Sequence, residues 1–340
     1  MMTPVADRPA NGDMHAADFY AANKASFSFE FFPPKNEESA ETLFHHVEQL
    51  QSLKPSFVSV TYGAGGGSRA ITQDLVFRIK KQTSIPPVPH LTCVTHTEAE
   101  IYDILEQYAN AGISNILALG GDTPKHMPEH DRSRDAFRYA TDLVRYIKAF
   151  GEKHGGQEIK DPRGFGIAVA GFPEGHPATP NRLVEMDHLK AKIDAGADFI
   201  VTQLFFDNRD FYDFRERCEL AGIDLPIVAG IMPITSAPAM MRMADLAAGS
   251  RFPAPLIKAM LRATGGDIHD PPKTTREAVR RVGVHWATEQ CRDLLDNDVR
   301  GLHFYTLNRS TATREIYANL GVQDSQALAE PPTQLMRPVG

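Results

Sequence analysis

Cysteine is scarce in this chain: Cys93, Cys218 and Cys291 are the only three in 340 residues, and none forms a CxxC pair. That usage fits neither a disulfide framework nor a zinc knuckle, and it predicts buried, inert thiols, with Cys93 the nearest to the candidate site. No apolar run approaches the roughly 20 residues that a bilayer span needs. The opening stretch MMTPVADRPANGDMHAADFY lacks a basic region followed by a hydrophobic segment, so the sequence reads as cytoplasmic. A net charge of -7 without a dense Lys/Arg stripe argues against a nucleic-acid or anionic-membrane surface. The expected partner is a small molecule. HExxH and GxSxG spacings are also missing.

What is present is enough apolar material for a large core, 42% hydrophobic against 23% charged. Short runs rich in β-branched and aromatic residues recur, each followed by a longer stretch with helical apolar spacing, which is the alternation parallel sheets require. Eight such runs occur: 27 to 32, 57 to 62, 87 to 94, 115 to 120, 165 to 171, 199 to 206, 226 to 233 and 302 to 308. Eight strands close a barrel, so the predicted fold class is α/β, a (β/α)8 TIM barrel. Amphipathic stretches such as 38 to 53 and 179 to 196 would form its outer ring, and the long gap before the eighth run, including 276 to 295, predicts extra helices between strands 7 and 8. The expected organisation is a flexible segment over 1–22, a catalytic barrel over 23–321 and a flexible tail over 322–340. None of the eight runs contains a lysine, which counts against Schiff-base and pyridoxal-phosphate barrels.

Functional groups of such barrels sit at the C-terminal ends of the strands. Those positions hold Glu30, Thr61, Tyr62, His90, Thr92, Asp122, Glu174, His176, Gln203, Asp207, Asn308 and Arg309. In FSFEFF the alternation puts Ser28, Glu30 and Phe32 on one face and three phenylalanines on the other, placing a carboxyl among aromatics. Burial there would raise its pKa towards that of a general acid, although a buried ion pair or a metal ligand suits the same position. The run GAGGGS over 63 to 68 could cradle a phosphate or merely turn the chain. Asp122 in LGGD could cap the next segment or face a ligand, and His90 and His176 could donate to a cofactor, bind metal or be satisfied at the rim.

The strings FSFEFFPPK, FVSVTYGAGG, PHLTCVTHT, NILALGGD, AGFPEGHP, DAGADFIVTQLFFD, AGIMPI and HFYTLNRS follow one another between about residues 26 and 321, and in this order they resemble the methylenetetrahydrofolate reductase family. The resemblance implies a (β/α)8 barrel that binds FAD without a Rossmann fingerprint and takes a hydride from NADH or NADPH. Folate then binds where the oxidised nicotinamide left. It casts Glu30 as the general acid that protonates N10 of 5,10-methylenetetrahydrofolate, opening the ring to an iminium on the way to 5-methyltetrahydrofolate. Asp122 would favour that cation. Gln203 would contact pterin or nicotinamide, and Tyr305, Arg309 and Met243 would lie where substrate is held. Thr61, Tyr62, Ala64, His90, Gly120, Gly121, Asp122, Phe172, His176 and Lys192 match positions around the flavin, and no metal is implied. A homo-oligomer is expected.

The chain departs from the bacterial pattern at several places: Gly120 and Ala191 replace arginines, and Phe172 replaces a tyrosine. Ala239 falls where a substrate-contacting glutamine is common. Each lost guanidinium removes a contact worth about 1.5 to 3 kcal/mol, which predicts weaker FAD binding unless His188 or another group compensates.

Overall fold

In the computed structural model, which describes residues 14–34, 36–62, 69–124, 127–247 and 250–329, eight parallel strands close into a barrel in sequence order. They are β1 (Ser26–Phe31), β2 (Phe57–Val60), β3 (Pro87–Thr92), β4 (Asn115–Leu119), β5 (Gly166–Gly171), β6 (Phe199–Leu204), β7 (Ile227–Ile231) and β8 (Gly301–Tyr305). Each lies within one of the eight runs read from the sequence, give or take a residue at its ends. The helices are α1 (Ala16–Ala22), α2 (Glu37–Gln51), α3 (Arg69–Gln82), α4 (Glu98–Asn110), α5 (Ala140–His154), α6 (Arg182–Asp194), α7 (Asn208–Leu220), α8 (Ala237–Leu246), α9 (Ala254–Thr264), α10 (Arg276–Asp296), α11 (Thr311–Asn319) and α12 (Gln326–Ala329). Three of them, α8 to α10, occupy the long connection from β7 to β8, as expected. Among the described residues no helix is long and apolar enough to cross a membrane.

Strand alternation sorts the core into two shells. Phe27, Phe29 and Phe31 point outward into the main core beneath the helices, each fully buried. The inward positions form layers. At the N-terminal end Phe57, Val88, Leu117, Ala168, Phe199 and Val228 fill the barrel with apolar groups. Towards the C-terminal end the filling turns polar, with Ser28, Glu30, Ser59, His90 and His303 all buried. A functional mouth above a packed floor is therefore set by which strand positions carry polar side chains.

The expectation of a loose chain up to residue 22 fails for 14–22. Helix α1 closes the floor: Tyr20 is buried against Phe199, its hydroxyl is 2.9 Å from Ser26 Oγ, and the Ala16 amide donates to Asn115 Oδ1 at 2.8 Å. Two apolar anchors four residues apart are too few to stand out as a helical pattern. The expectation fails likewise for 322–329, where the Ser325 hydroxyl donates to the Leu53 carbonyl at 2.7 Å and Lys54 pairs with Asp324 at 2.8 Å. Residues 1–13 and 330–340 lie outside the described residues.

Candidate active site

Parallel pairing sets Glu30 level with Ser59 on one side and Tyr305 on the other, and Ser28 level with His303. The Glu30 carboxyl consequently lies inside the barrel, 6% exposed. Its Oε2 is 3.4 Å from Ser59 Oγ, 3.4 Å from His90 Nε2 and 3.5 Å from His303 Nε2. The far side of the His303 ring, Nδ1, is 2.7 Å from Ser28 Oγ, and the Glu30 carbonyl accepts a 2.6 Å bond from Thr306 Oγ1. This corrects the expected aromatic surroundings. The phenylalanines of β1 turn to the opposite face, and the carboxyl meets two imidazoles and a hydroxyl instead. Burial holds His90 below the usual histidine range, with Glu30 pulling it up and His303 pushing it down. A neutral His90 beside a carboxyl group is an arrangement through which a proton can be held or passed.

Position 203 owes its place to an irregularity. Val201 pairs with Val228 but Leu204 pairs with Gly230, so β6 carries one extra residue, a bulge of the kind that re-aims side chains. Gln203 sits in it with its Oε1 accepting the Leu204 amide at 2.9 Å. Tyr305 reaches the neighbouring Thr202 carbonyl at 2.8 Å, and burial pushes its phenol well above the usual tyrosine range. Gln203 also lines a narrow cleft with Phe172, Glu174, Gly175 and Ser250.

At the rim, Asp122 follows β4, is exposed and caps no helix among the described residues. Its charge acts on His176, which desolvation holds low while Asp122 pulls it up and Lys192 pushes it down. Phe172 meets the His176 ring edge-on at 4.8 Å. Lys192 reaches in from α6 to donate to the Ala170 carbonyl at 2.6 Å, and desolvation draws it down to about 8 against the attraction of Glu185. Gly120 opens onto free space, with no atom within 4 Å of an added Cβ. Thr61 is half-buried, and the Tyr62 hydroxyl lies 2.9 Å from His96 Nε2.

Not every expected residue joins this group. Met243 is buried in a second core with Met240, Leu256 and Met260, so its side chain packs the α8–α10 layer. His188 and Arg309 are exposed, and Ala64 and the rest of GAGGGS lie outside the described residues. Asp207 caps α7 through the Arg209 amide, Glu174 pairs with Arg251 at 3.1 Å, and Asn308 bonds both backbone groups of Phe32. These three are structural pairings. The thiols are buried as expected, with Cys93 and Cys218 raised by burial to about 12. Sequence reasoning passed over His303, although the same period-two alternation that marks Tyr305 as inward marks His303 too. A cleft of about 320 Å3 at the opposite end of the barrel is lined by Arg215, Asp224, Asp298 and Arg300 and touches none of these groups.

Lys192 yields a test of local energetics. Its proton is held less tightly in the folded chain, at about 8, than at the ordinary 10.5, so stability rises as pH climbs between those values. Lys192→Met is expected to be more stable than the parent at pH 7 and to lose that rise, by urea denaturation at pH 7 and 9.5. A variant less stable at pH 7 would mean the bond to Ala170 outweighs desolvation.

Fold and site define a class: a closed (β/α)8 barrel with polar groups gathered at its C-terminal mouth, the arrangement of barrel enzymes. The sequence model of the family described as Methylenetetrahydrofolate reductase matches residues 15–321. The chain is 38% identical to Methylenetetrahydrofolate reductase (NADH) 1 of Arabidopsis thaliana, over 90% of this chain and 50% of that one. It is also 38% identical to 5,10-methylenetetrahydrofolate reductase of Escherichia coli (strain K12), over 87% of this chain and 90% of that one. It spans about half the length of its plant relatives. A solved structure of an uncharacterized Clostridium thermocellum protein that binds two copies of 5-methyl-5,6,7,8-tetrahydrofolic acid aligns with TM-score 0.55 at 12% identity, over 86% of this chain and 93% of that one, which bears on the fold alone. The chain belongs to the methylenetetrahydrofolate reductase family.

Proposed function

We propose that this chain reduces 5,10-methylenetetrahydrofolate to 5-methyltetrahydrofolate with NADH or NADPH as reductant and FAD as resident cofactor. The observation that carries this is the Glu30 carboxyl, buried in the barrel mouth between two imidazoles, in a chain of this family. NADH enters from the name of the Arabidopsis relative.

The residues suit FAD. The His90 Nε2 is buried and makes no hydrogen bond, although Glu30 Oε2 lies 3.4 Å away, the Lys192 ammonium donates to a single carbonyl, and an added Cβ at Gly120 would meet nothing within 4 Å. Buried polar atoms with incomplete partners are costly unless a ligand completes them. Thr61, Tyr62, His90, Gly120, Gly121, Asp122, Phe172, His176 and Lys192 would hold the flavin, with Ala64 from the segment outside the described residues. When bound, FAD supplies the capacity to accept a hydride from a nicotinamide and yield it to an electrophilic carbon.

The chain's own groups do the rest. Glu30 hands a proton from its carboxyl to N10 of the folate, and Ser59, His90 and His303 orient that carboxyl. Asp122 sets a negative charge beside the cation that forms when the ring opens. Gln203 exchanges its bond to the Leu204 amide for one to pterin or nicotinamide, while Tyr305 borders the substrate. Anaerobic mixing of FAD-loaded protein with NADH should bleach the flavin band, and methylenetetrahydrofolate should restore it. A protein that takes up no flavin, or whose bleached band ignores folate, would refute the assignment.

A further inference from the structure

Asp122 follows two glycines, the least restrained dipeptide a chain can offer, and Gly121 has φ +75°. A Cβ there would come within 2.6 Å of Val94, so the corner is both permissive and crowded on one side. Its carbonyls are held from a distance. Arg132, in a 3-10 turn over Arg132–Arg134, spreads its guanidinium across both: Nη1 donates to Gly121 O at 2.6 Å and Nη2 to Gly120 O at 2.7 Å. Behind it, Arg132 Nε is 3.5 Å from Asp135 Oδ2. The Asp135 side chain is 2% exposed, and its other oxygen takes bonds from His130 Nε2 at 2.7 Å and the Thr95 amide at 3.1 Å. Carboxylate, guanidinium and glycine corner thus form one connected stack, ending at the exposed Asp122.

We infer that Arg132 is a positioning residue, returning a cation to the Gly120–Asp122 corner and fixing where the Asp122 carboxylate points; this rests on the proposed placement of Asp122 beside flavin and folate. A planar fork satisfies two carbonyls at once, whereas a lysine offers a point charge for one. Asp122 opposes negative charge on the flavin and favours positive charge on folate. Misplacing it should therefore slow folate-driven recovery of the flavin band while leaving NADH-driven bleaching unchanged or faster. A general loosening of the barrel would slow both.

The test compares Arg132→Ala, Arg132→Lys, Asp122→Asn and the double variant Arg132→Ala/Asp122→Asn. In the apo protein, amide hydrogen exchange across residues 119–122 should quicken at least about tenfold in Arg132→Ala and less in Arg132→Lys, since the lost bonds are net worth about 1.4 kcal/mol or more. In FAD-loaded protein Arg132→Ala should lose roughly tenfold or more in the recovery step alone, with Arg132→Lys between it and the parent. The double variant should fall no further than Asp122→Asn, because both changes act through one carboxylate. Unchanged exchange in both Arg132 variants, equal slowing of bleaching and recovery, or additive losses would overturn the inference. Should Arg132→Ala not fold, the same criteria apply to Arg132→Lys. A parent protein that never bleaches and recovers would instead sink the proposed reaction, leaving the exchange result to judge the clamp.

Discussion

Replacing Glu30 with Gln should leave NADH-driven bleaching of the flavin near its parental rate and slow the folate-driven recovery by about 10²- to 10⁴-fold, the range a positioned general acid contributes. The geometry makes this variant specific. The amide has the shape of the carboxyl and can still reach Ser59 Oγ and the two imidazoles, each now 3.4 to 3.5 Å from Oε2. What it lacks is a proton to give. Stopped-flow absorbance under anaerobic conditions reads both half-reactions in one sample. Recovery at the parental rate would remove Glu30 from the chemistry. Equal slowing of both steps would make it a structural residue, the ion-paired alternative the sequence also allows.

A second large effect is structural. Helix α10 crosses the segment after β7 at Gly283, where an added Cβ would lie 1.8 Å from the Ile234 carbonyl oxygen, a backbone atom with no rotamer to change. The same helix is bonded to the end of β6 through Trp286 Nε1 to Phe206 O at 2.9 Å and Gln290 Nε2 to Phe205 O at 3.2 Å, so it cannot withdraw without breaking those bonds. Gly283→Ala is expected to cost about 2 to 3 kcal/mol after the roughly 1 kcal/mol that alanine gains as a helix former. Urea denaturation should show the loss, with Gly120→Ala, whose Cβ meets nothing within 4 Å, staying near the parent. Gly283→Ala at parental stability would show that α10 can slide on the β7 segment.

The strands were legible because period-two alternation and β-branched composition are local signals, and β1 illustrates how far they carry. Phe27, Phe29 and Phe31 mark one face, Ser28 and Glu30 the other, and the inward direction of the second face follows once the barrel closes. What surrounds Glu30 was not legible. His90 comes from β3 and His303 from β8, and only closure brings them to one carboxyl. The bulge at Gln203 depends on a register between β6 and β7 that neither strand declares alone. The family resemblance put Met243 where substrate is held, yet its neighbours on α9 turn it into core. His188 faces solvent on α6, whereas Arg132, ten residues past Asp122 in a polar loop, gave no sign of its fork on Gly120 and Gly121. Loops return side chains to strand ends by paths that hydrophobic pattern does not encode.

The position of folate relative to Glu30 is the most direct measurement: a crystal structure of the protein with FAD and methyltetrahydrofolate bound. A Glu30 carboxyl oxygen should stand within about 2.6 to 3.2 Å of N10, or reach it through one ordered water, with the pterin ring between Asp122 and Gln203. A folate bound with N10 remote from Glu30 and no water joining them would contradict proton transfer from this residue.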